Sequence, residues 1–419
     1  MPSETSPGGP EPPIVVIGAG AAGLMAALHA AAGGRRVVLL ESTKDGGRKI
    51  LMSGGGRCNV LPSELDPARF VTESSPNTMR KLLLAWPLAE QRRFFEEDLA
   101  LPLALEEETG KLFPVSNRAR DVRDGLVAAA RRRGVEVRFS ARATSLAPGT
   151  GAGRWTVGIE GAASLRAARV IVAAGGLSVP ATGSDGAGLS MARRLGHTVH
   201  ETYPALTPLT AAPHRYAALS GVSLPVALEA ENGKRPLRTH GGFLFTHKGY
   251  SGPSVLNLSH VCVRARLRGA PLPRVTARWT ERGAEAWDAA LRGQEGTAAG
   301  ALRGHLPARL AEALLEDAGV APETLLAQLR REERARIVQA LVRHPLPWTG
   351  DEGYTKAEVT GGGVALSEID PRTLESKLHP GLHLCGEMLD AFGPIGGYNF
   401  CWAWSTGQAA GLAAAGVGR

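Results

Sequence analysis

A β-branched run, Ile14-Val15-Val16-Ile17, leads straight into Gly18, Gly20 and Gly23 spaced as G-x-G-x-x-G, and these glycines open a helix-forming stretch, AAGLMAALHAAA. No other feature of the chain restricts its fold as much. The first glycine of such a turn allows a tight bend, the second lets backbone approach a pyrophosphate, and the third permits close packing of helix on strand. Gly33-Gly34 stop the helix, and a second apolar strand, RVVLLE, follows. Strand, helix and strand in this order predict a βαβ unit with a right-handed crossover in a parallel sheet. Glu41 closes the second strand 18 residues after Gly23, where a carboxylate can accept hydrogen bonds from ribose hydroxyls and would repel a 2′-phosphate. The helix N-terminus adds free amides and a dipole that favour phosphate. A dinucleotide site is expected.

The 21 residues from Ile14 to Gly34 carry no formal charge, a length that hydropathy alone would assign to a membrane span. The glycine turn inside the stretch points instead to a buried strand and a helix packed on a sheet. The polar, proline-rich residues 1–13 predict a disordered tail without the basic-then-apolar order of a secretory signal. Four cysteines, at 58, 262, 385 and 401, form no C-x-x-C pair, which excludes a zinc knuckle or thioredoxin-type centre and fits a reducing cytoplasm. The formal charge is +8, but the basic residues are dispersed, and the densest run, Arg131-Arg132-Arg133, reads as the solvated end of a helix. Nucleic acid and membrane are therefore not the expected partners.

The chain beyond the βαβ unit changes character twice. Residues 14–200 predict the first part of a Rossmann-like domain, including a strand, ARVIVAAGG, that runs into glycines. Residues 201–280 carry short, Pro- and Gly-punctuated strands and predict an inserted antiparallel β module. Residues 281–345 show apolar residues at three- and four-residue spacing and predict a small helical module. From 346 to 419 the glycine-rich style returns, with a strand GLHLCGE and a final helix WAWSTGQAAGLAAA. The fold class is α/β: a discontinuous dinucleotide-binding domain interrupted by the two modules.

Three further glycine-rich segments follow strands or precede helices: GGRKILMSGGGRCN, AAGG and CGEMLDAFGPIGGYN. A nicotinamide half-site needs only the first glycine turn. Several loops from both ends of the chain suit a longer ligand lying extended across the domain, and FAD fits better than NAD. The absence of G-x-x-x-x-G-K-[ST] removes a P-loop nucleotidase.

The blocks GRKILMSGGGRCN, GHTVHETYPALTPL, FTHKGYSGPSVLNLS, AEVTGGGV and LESKLHPGLHLCGEMLDAFGPIGGYNFCWAWSTG resemble the BaiN/RdsA-like NAD(P)/FAD-dependent oxidoreductases, which include aminoacetone oxidase-type flavoproteins. The resemblance runs from residue 14 to 412. It implies that Gly18, Gly20, Ala21, Ala22 and Gly23 hold the FAD pyrophosphate, with Glu41 and Ser42 at the adenosine ribose. It places Gly47, Arg48, Lys49, Ser53, Gly54, Gly55, Arg57, Cys58 and Asn59 beside the pyrophosphate and flavin. Val137 would present backbone to the adenine, with Ala174 and Gly175 close by. Gly386 and Glu387 would meet the phosphate and ribityl end, and Gly397, Tyr398 and Asn399 the isoalloxazine ring. The tail motif is richer in tryptophan than many relatives, so the substrate face departs from the pattern.

The expected activity is FAD-dependent oxidoreduction of a small organic molecule through flavin N5, with NAD(P)H as a transient electron donor because no second G-x-G-x-x-G is present. An oxygen-using amine oxidase is the alternative, and an RNA-associated flavoprotein a more distant one. No acid/base pair and no metal site are evident. His247 and Tyr250, in FTHKGYSGP, read as structural before they read as substrate-facing, and Cys58 as packing. Trp402 and Trp404 read as helix core or cavity lining. Oligomeric state is not legible.

Overall fold

The structure is a computed structural model and describes residues 11–149, 154–233 and 235–418. Most of the tail expected over 1–13 lies outside the described residues. The chain divides into two compact units, one from the residues before Tyr203 together with those from Val359 onward, the other Tyr203–Glu358.

In the first unit, strands β1 (Ile14–Ile17), β2 (Val37–Leu40), β3 (Glu136–Arg138), β4 (Arg169–Val172), β5 (Val359–Val364) and β6 (Leu382–Leu384) are punctuated by helices α1 (Ala21–Ala30), α2 (Arg48–Met52), α3 (Ala119–Arg132) and α4 (Tyr398–Ala415). Five strands form one sheet in the order β6-β4-β1-β2-β3. All its pairings are parallel, with Val15 opposite both Val38 and Val170 and Leu39 opposite Val137. Strands covered on both faces need apolar side chains in both directions, which is why β1, β2 and β4 are continuous runs of Val, Ile and Leu. This is the Rossmann-like fold that the βαβ signature predicts.

The uncharged 14–34 stretch is thus β1, α1 and the turn after them. Helix α1 is apolar nearly all round because the sheet covers one face and α4 another. Contact with α4 depends on two glycines one turn apart. A Cβ on Gly407 would lie 2.4 Å from the Ala22 carbonyl oxygen, and one on Gly411 2.4 Å from that of Ala26. Among the described residues no helix is long and apolar enough to cross a membrane.

The second unit is built on a seven-stranded sheet whose order runs from His344–Pro345 through Val275–Arg278, Ser223–Ala230, Leu237–Phe245, Gly249–Ser251 and Leu209–Thr210 to Gly350–Asp351. Its two edge strands are separated by only four residues of chain, which extend to at most ~17 Å between them. The sheet must therefore curl until its edges approach, making a small open barrel. Thr349 N donates to Thr210 O (2.7 Å) and Leu346 N to Val275 O (2.9 Å), which tie the linking residues to the strand next to each edge. Helices at Ala284–Ala290, Ala298–Arg303, Ala308–Asp317 and Arg331–Val342 complete this unit.

Two features differ from expectation. The 201–280 stretch is not all strand, because Pro253–Leu267 is a 15-residue helix. Gly252-Pro253 reads as a turn, yet proline at the first helical position is compatible with helix. Most of the helix is buried, so it shows no polar stripe. Residues 346–358, expected with the C-terminal part of the first domain, fall in the second unit, which ends at Glu358. The strand Gly350–Asp351 holds them there by pairing with Leu209–Thr210.

Candidate functional site along the carboxyl edge of the parallel sheet

Because the five strands are parallel, the segments that follow β1, β2, β4 and β6 all emerge at one edge, where open α/β sheets bind ligands. The three glycines after β1 divide the work. Gly18 has φ +100 and donates its amide to Leu40 O at 2.7 Å. A Cβ on Gly23 would lie 1.8 Å from Gly18 O, so this position is closed by packing. A Cβ on Gly20 would meet nothing within 4 Å. Gly20 caps α1 with extended backbone and no side-chain hydrogen bond, and the first amides of the helix, at Ala21, Ala22 and Gly23, have no carbonyl partner within the helix. That cradle suits an anion.

Glu41 stands at the end of β2 with its side chain held in place. One carboxylate oxygen accepts from Ala19 N (2.7 Å), the other from Thr43 N and Thr43 Oγ1 (both 2.7 Å) and from Ser42 Oγ (3.4 Å). The Ala19-facing oxygen keeps a lone pair for a hydroxyl donor. Gly47 N donates to Ala19 O (2.8 Å), which fastens the 46–59 segment to the first glycine turn. Val137 lies next door in β3, an edge strand whose outer side has no strand partner among the described residues. On the other side, Gly175 follows β4 with φ +73, beside Ala174.

Beyond β4 the edge carries a charged knot drawn from four distant segments. Lys49 Nζ on α2 donates to Ser178 Oγ and to Glu387 Oε2, each at 2.6 Å. Ser178 Oγ donates to Glu387 Oε1 (2.7 Å), which also accepts from Thr360 N (3.1 Å). Thr360 Oγ1 in turn accepts the amides of Leu177 (2.7 Å) and Ser178 (3.1 Å). Arg48 is engaged beside it with Asp45 (2.8 Å) and Ala181 O (3.3 Å).

The glycine loop after α2 folds through Gly54 and Gly55, both left-handed, while Ser53 Oγ donates to Ile50 O at 2.8 Å. Arg57 reaches Glu106 (2.9 Å) and lies over the Phe113 ring at 4.0 Å. Cys58 is fully buried, and burial pushes its thiol up to about 12, so it packs and does not ionise near neutral pH. The Asn59 amide donates to Leu61 O (3.1 Å) and accepts from Gly397 N (2.9 Å), joining this loop to the head of α4. Gly397 is confined there: φ is +88, and a Cβ would lie 2.5 Å from the Leu61 carbonyl carbon.

The C-terminal segment is braced by tryptophans. Trp402 Nε1 donates to Gly386 O (3.1 Å), Trp404 Nε1 to Val60 O (3.0 Å), and Gly386 N donates to Thr406 Oγ1 (3.0 Å). Asn399 uses its side chain internally, bonding both N and O of Gly393 (2.8 and 2.9 Å). Only its backbone is left to meet a ligand.

Several residues of this region were not expected from sequence. Ser178 and Thr360 complete the Lys49–Glu387 knot. Asp390 is buried at 1% exposure, and one of its oxygens accepts from Glu73 N, Ser74 N, Ser74 Oγ and Thr72 Oγ1 at 2.7–3.0 Å. His200 Nε2 stands 3.7 Å from the same oxygen. Burial pushes the Asp390 carboxyl above its usual range, against the pull of these donors. Arg69 donates to the Tyr398 hydroxyl at 2.6 Å and lies over its ring at 4.8 Å. Ser178 lies two residues after the AAGG loop and Thr360 within AEVTGGGV, so the only signal for either was its glycine-rich neighbourhood. Asp390 lies within CGEMLDAFGPIGGYN, whereas Arg69 had no such signal. His247 and Tyr250 belong to the second unit, where Tyr250 is 1% exposed in an aromatic cluster with Phe243 and Phe245.

The model for the HI0933-like protein Rossmann domain matches residues 12–413. The chain belongs to the HI0933-like family. This is the family whose blocks the sequence resembles, and the chain is an FAD-dependent oxidoreductase. It is 34% identical over 369 residues to the Escherichia coli protein named ribosomal RNA dihydrouridine synthase, covering 86% of this chain and 87% of that one. It is 32% identical over 375 residues to the Clostridium scindens protein named 3-dehydro-bile acid delta(4,6)-reductase, covering 87% and 89%. Its fold is similar to that of a 3-ketosteroid delta1-dehydrogenase from Sterolibacterium denitrificans, with TM-score 0.51 and 13% identity over 96% of this chain and 99% of that one.

Proposed function

We propose that this oxidoreductase reduces a carbon–carbon double bond conjugated to a carbonyl in a small organic molecule, with NAD(P)H as electron donor and FAD laid along the carboxyl edge of the parallel sheet. The placement of FAD rests on one observation: the cradle over Gly20, the Glu41 carboxylate and the Lys49–Glu387 knot lie in sequence on one edge, from β2 through β1 to β4 and β6. In this reading Glu41 and Ser42 face the adenosine ribose and Val137 the adenine. Gly18 to Gly23 would hold the pyrophosphate, with Gly47 to Asn59, Ala174 and Gly175 along its course. Gly386, Glu387 and Gly397 to Asn399 face the ribityl chain and ring. When bound, FAD supplies hydride transfer at ring N5.

The substrate class rests on what two relatives are named for. A dihydrouridine synthase saturates a ring double bond conjugated to a uracil carbonyl, and a delta(4,6)-reductase of a 3-dehydro-bile acid saturates double bonds conjugated to a ketone. Lys49 and Arg48 supply positive charge near the phosphates, and Asn59 fixes the loop against the head of α4, where the amides of Tyr398 and Asn399 can stabilise negative charge on the ring edge. A second reading, with a uracil base of RNA as the acceptor, is favoured by the name of the Escherichia coli relative and by the charge of residues 203–358, which carry 20 basic and 15 acidic side chains, a net +5.

Anaerobic rapid mixing tests both. Flavin absorbance is expected to bleach on mixing with NADH or NADPH and to return on adding a 4-en-3-one steroid or 2-cyclohexen-1-one. Failure of either nicotinamide to bleach the flavin sinks the donor assignment. Return of colour only with uracil-containing RNA, together with binding that weakens steeply with salt, establishes the second reading.

A further inference from the structure

We propose that Tyr398, with Arg69 behind it, is the hydrogen-bond donor to the substrate's carbonyl oxygen; this rests on the reading that the substrate is a conjugated carbonyl compound. The inference starts from donor counting. Arg69 carries only donors, so in its 2.6 Å contact with Tyr398 the phenol oxygen is the acceptor. The hydroxyl proton of Tyr398 must then point elsewhere, and among the described residues no acceptor takes it. An O–H whose oxygen already accepts from a cation is a strengthened donor.

The pair is also held in advance. Tyr398 is the first residue of α4, fixed by Gly397, whose amide is bonded to Asn59. Its ring is 6% exposed and packs edge-on against Phe70 at 6.1 Å between centroids. Arg69 sits on a segment tied down at its far side: Val71 bridges Phe392 in antiparallel register, with N···O distances of 2.9 and 3.1 Å, and Asp390 receives four donors from residues 72–74. Asp390 and Phe392 belong to the 386–397 loop that leaves the carboxyl end of β6 and ends at Tyr398. The same loop thus carries the proposed ring end of the cofactor site and clamps the arginine that faces it. A donor fixed before reaction needs no reorganisation when charge appears.

The chemistry needs such a group. Adding a hydride to the β-carbon of an enone forms a new C–H bond and pushes the double-bond pair toward the carbonyl oxygen, giving an enolate. A proton from water then forms the α C–H bond and the carbonyl re-forms, so the double bond has gained two electrons and two protons in all. The two electrons come from the reduced cofactor, which NAD(P)H has charged. The carbonyl oxygen carries the negative charge in between, and a neutral O–H backed by a guanidinium stabilises it without itself losing a proton. Tyr398 would be the catalytic residue of this pair and Arg69 its positioning residue.

The test separates the two half-reactions of the holoenzyme. Tyr398→Phe keeps the ring and its packing and removes only the hydroxyl. It is expected to bind FAD with an unchanged visible spectrum and to be reduced by NAD(P)H within about 3-fold of the wild-type rate. Its reoxidation by 2-cyclohexen-1-one, a 4-en-3-one steroid or uridine should fall about 100-fold, the scale of losing one oxyanion donor. Arg69→Gln should show the same split to a smaller degree, and Arg69→Lys should recover part of it. If Tyr398→Phe is reoxidised as fast as wild type by a probe that wild type accepts, the assignment is overturned while the substrate class stands. If wild type is reoxidised by none of these probes, the substrate class falls and the assignment with it. Loss of FAD or equal slowing of both half-reactions would make Tyr398 structural and overturn the proposal.

Discussion

Two glycines three residues apart, changed one at a time to alanine, should behave oppositely. At Gly23 an added Cβ would lie 1.8 Å from Gly18 O, about 1.5 Å inside ordinary contact. The obstacle is backbone on both sides, so α1 must lift off the strand turn. Overpacking of this kind costs ~1–3 kcal/mol. For a unit of this size each kcal/mol lowers the melting temperature by roughly 2–4 °C, so flavin-free Gly23→Ala should melt ~3–10 °C below wild type. At Gly20 the Cβ meets nothing within 4 Å, and φ −77 with ψ −170 suits alanine. Flavin-free Gly20→Ala should therefore melt within about 0.5 kcal/mol of wild type. Its methyl would occupy the space where the pyrophosphate approaches, so its FAD dissociation constant should rise about 100-fold, equivalent to ~2.7 kcal/mol. Thermal melts of deflavinated protein and quenching of flavin fluorescence on titration read the two effects separately. A Gly20→Ala protein that binds FAD within about 3-fold of wild type would refute the phosphate placement. A Gly23→Ala protein as stable as wild type would refute the packing argument.

Lys49→Met should lower apoprotein stability by ~1–3 kcal/mol in urea, because it leaves the Glu387 carboxylate short of its cationic partner, and adding Glu387→Gln should restore part of the loss. Gly411→Leu should destabilise by at least ~2 kcal/mol through the α1–α4 contact, whereas Gly418→Ala, with nothing within 4 Å of its Cβ, should be neutral. His260 and His344 are buried in the second unit, and burial pushes each down to about 4. The unfolded chain, with histidines near ~6.5, binds more protons between those values, so stability should fall as pH drops from 6.5 toward 4 and show no slope from these groups above 6.5. Urea midpoints at pH 7, 6 and 5 check this, and His344→Gln should flatten part of the decline.

What the sequence made legible follows how local each signal is. Gly18, Gly20, Gly23 and Glu41 lie within one βαβ unit, and their spacing alone encodes strand, turn, helix and carboxylate. The Lys49–Ser178–Thr360–Glu387 knot is different in kind. Its members are separated by up to 338 residues, and only folding brings them within hydrogen-bonding distance. Glycine-rich context flagged Lys49 and Glu387, but a lone Ser or Thr beside glycine has no spacing rule. Arg69 on Tyr398 had still less to reveal it, since an exposed arginine in a polar segment looks like any solvated charge. The helix Pro253–Leu267 was hidden by its burial, which removed the polar face that marks helical period. Closure of the barrel was hidden because its edge strands are two residues long, too short for alternation to register.

The seating of α4 on α1 through Gly407 and Gly411 bears on how the enzyme is made. Helix α1 is translated about 380 residues ahead of the glycines that cover it. Synthesis at roughly 5–20 residues per second leaves that face of α1 bare for about 20 seconds or more. During this interval the 203–358 unit emerges whole and can settle by itself. Residues 386–399, proposed to meet the flavin ring, have not yet been made. A polypeptide released early would therefore display a sticky, half-covered helix and lack the means to retain its flavin, which gives cellular quality control a clear difference between finished and truncated copies.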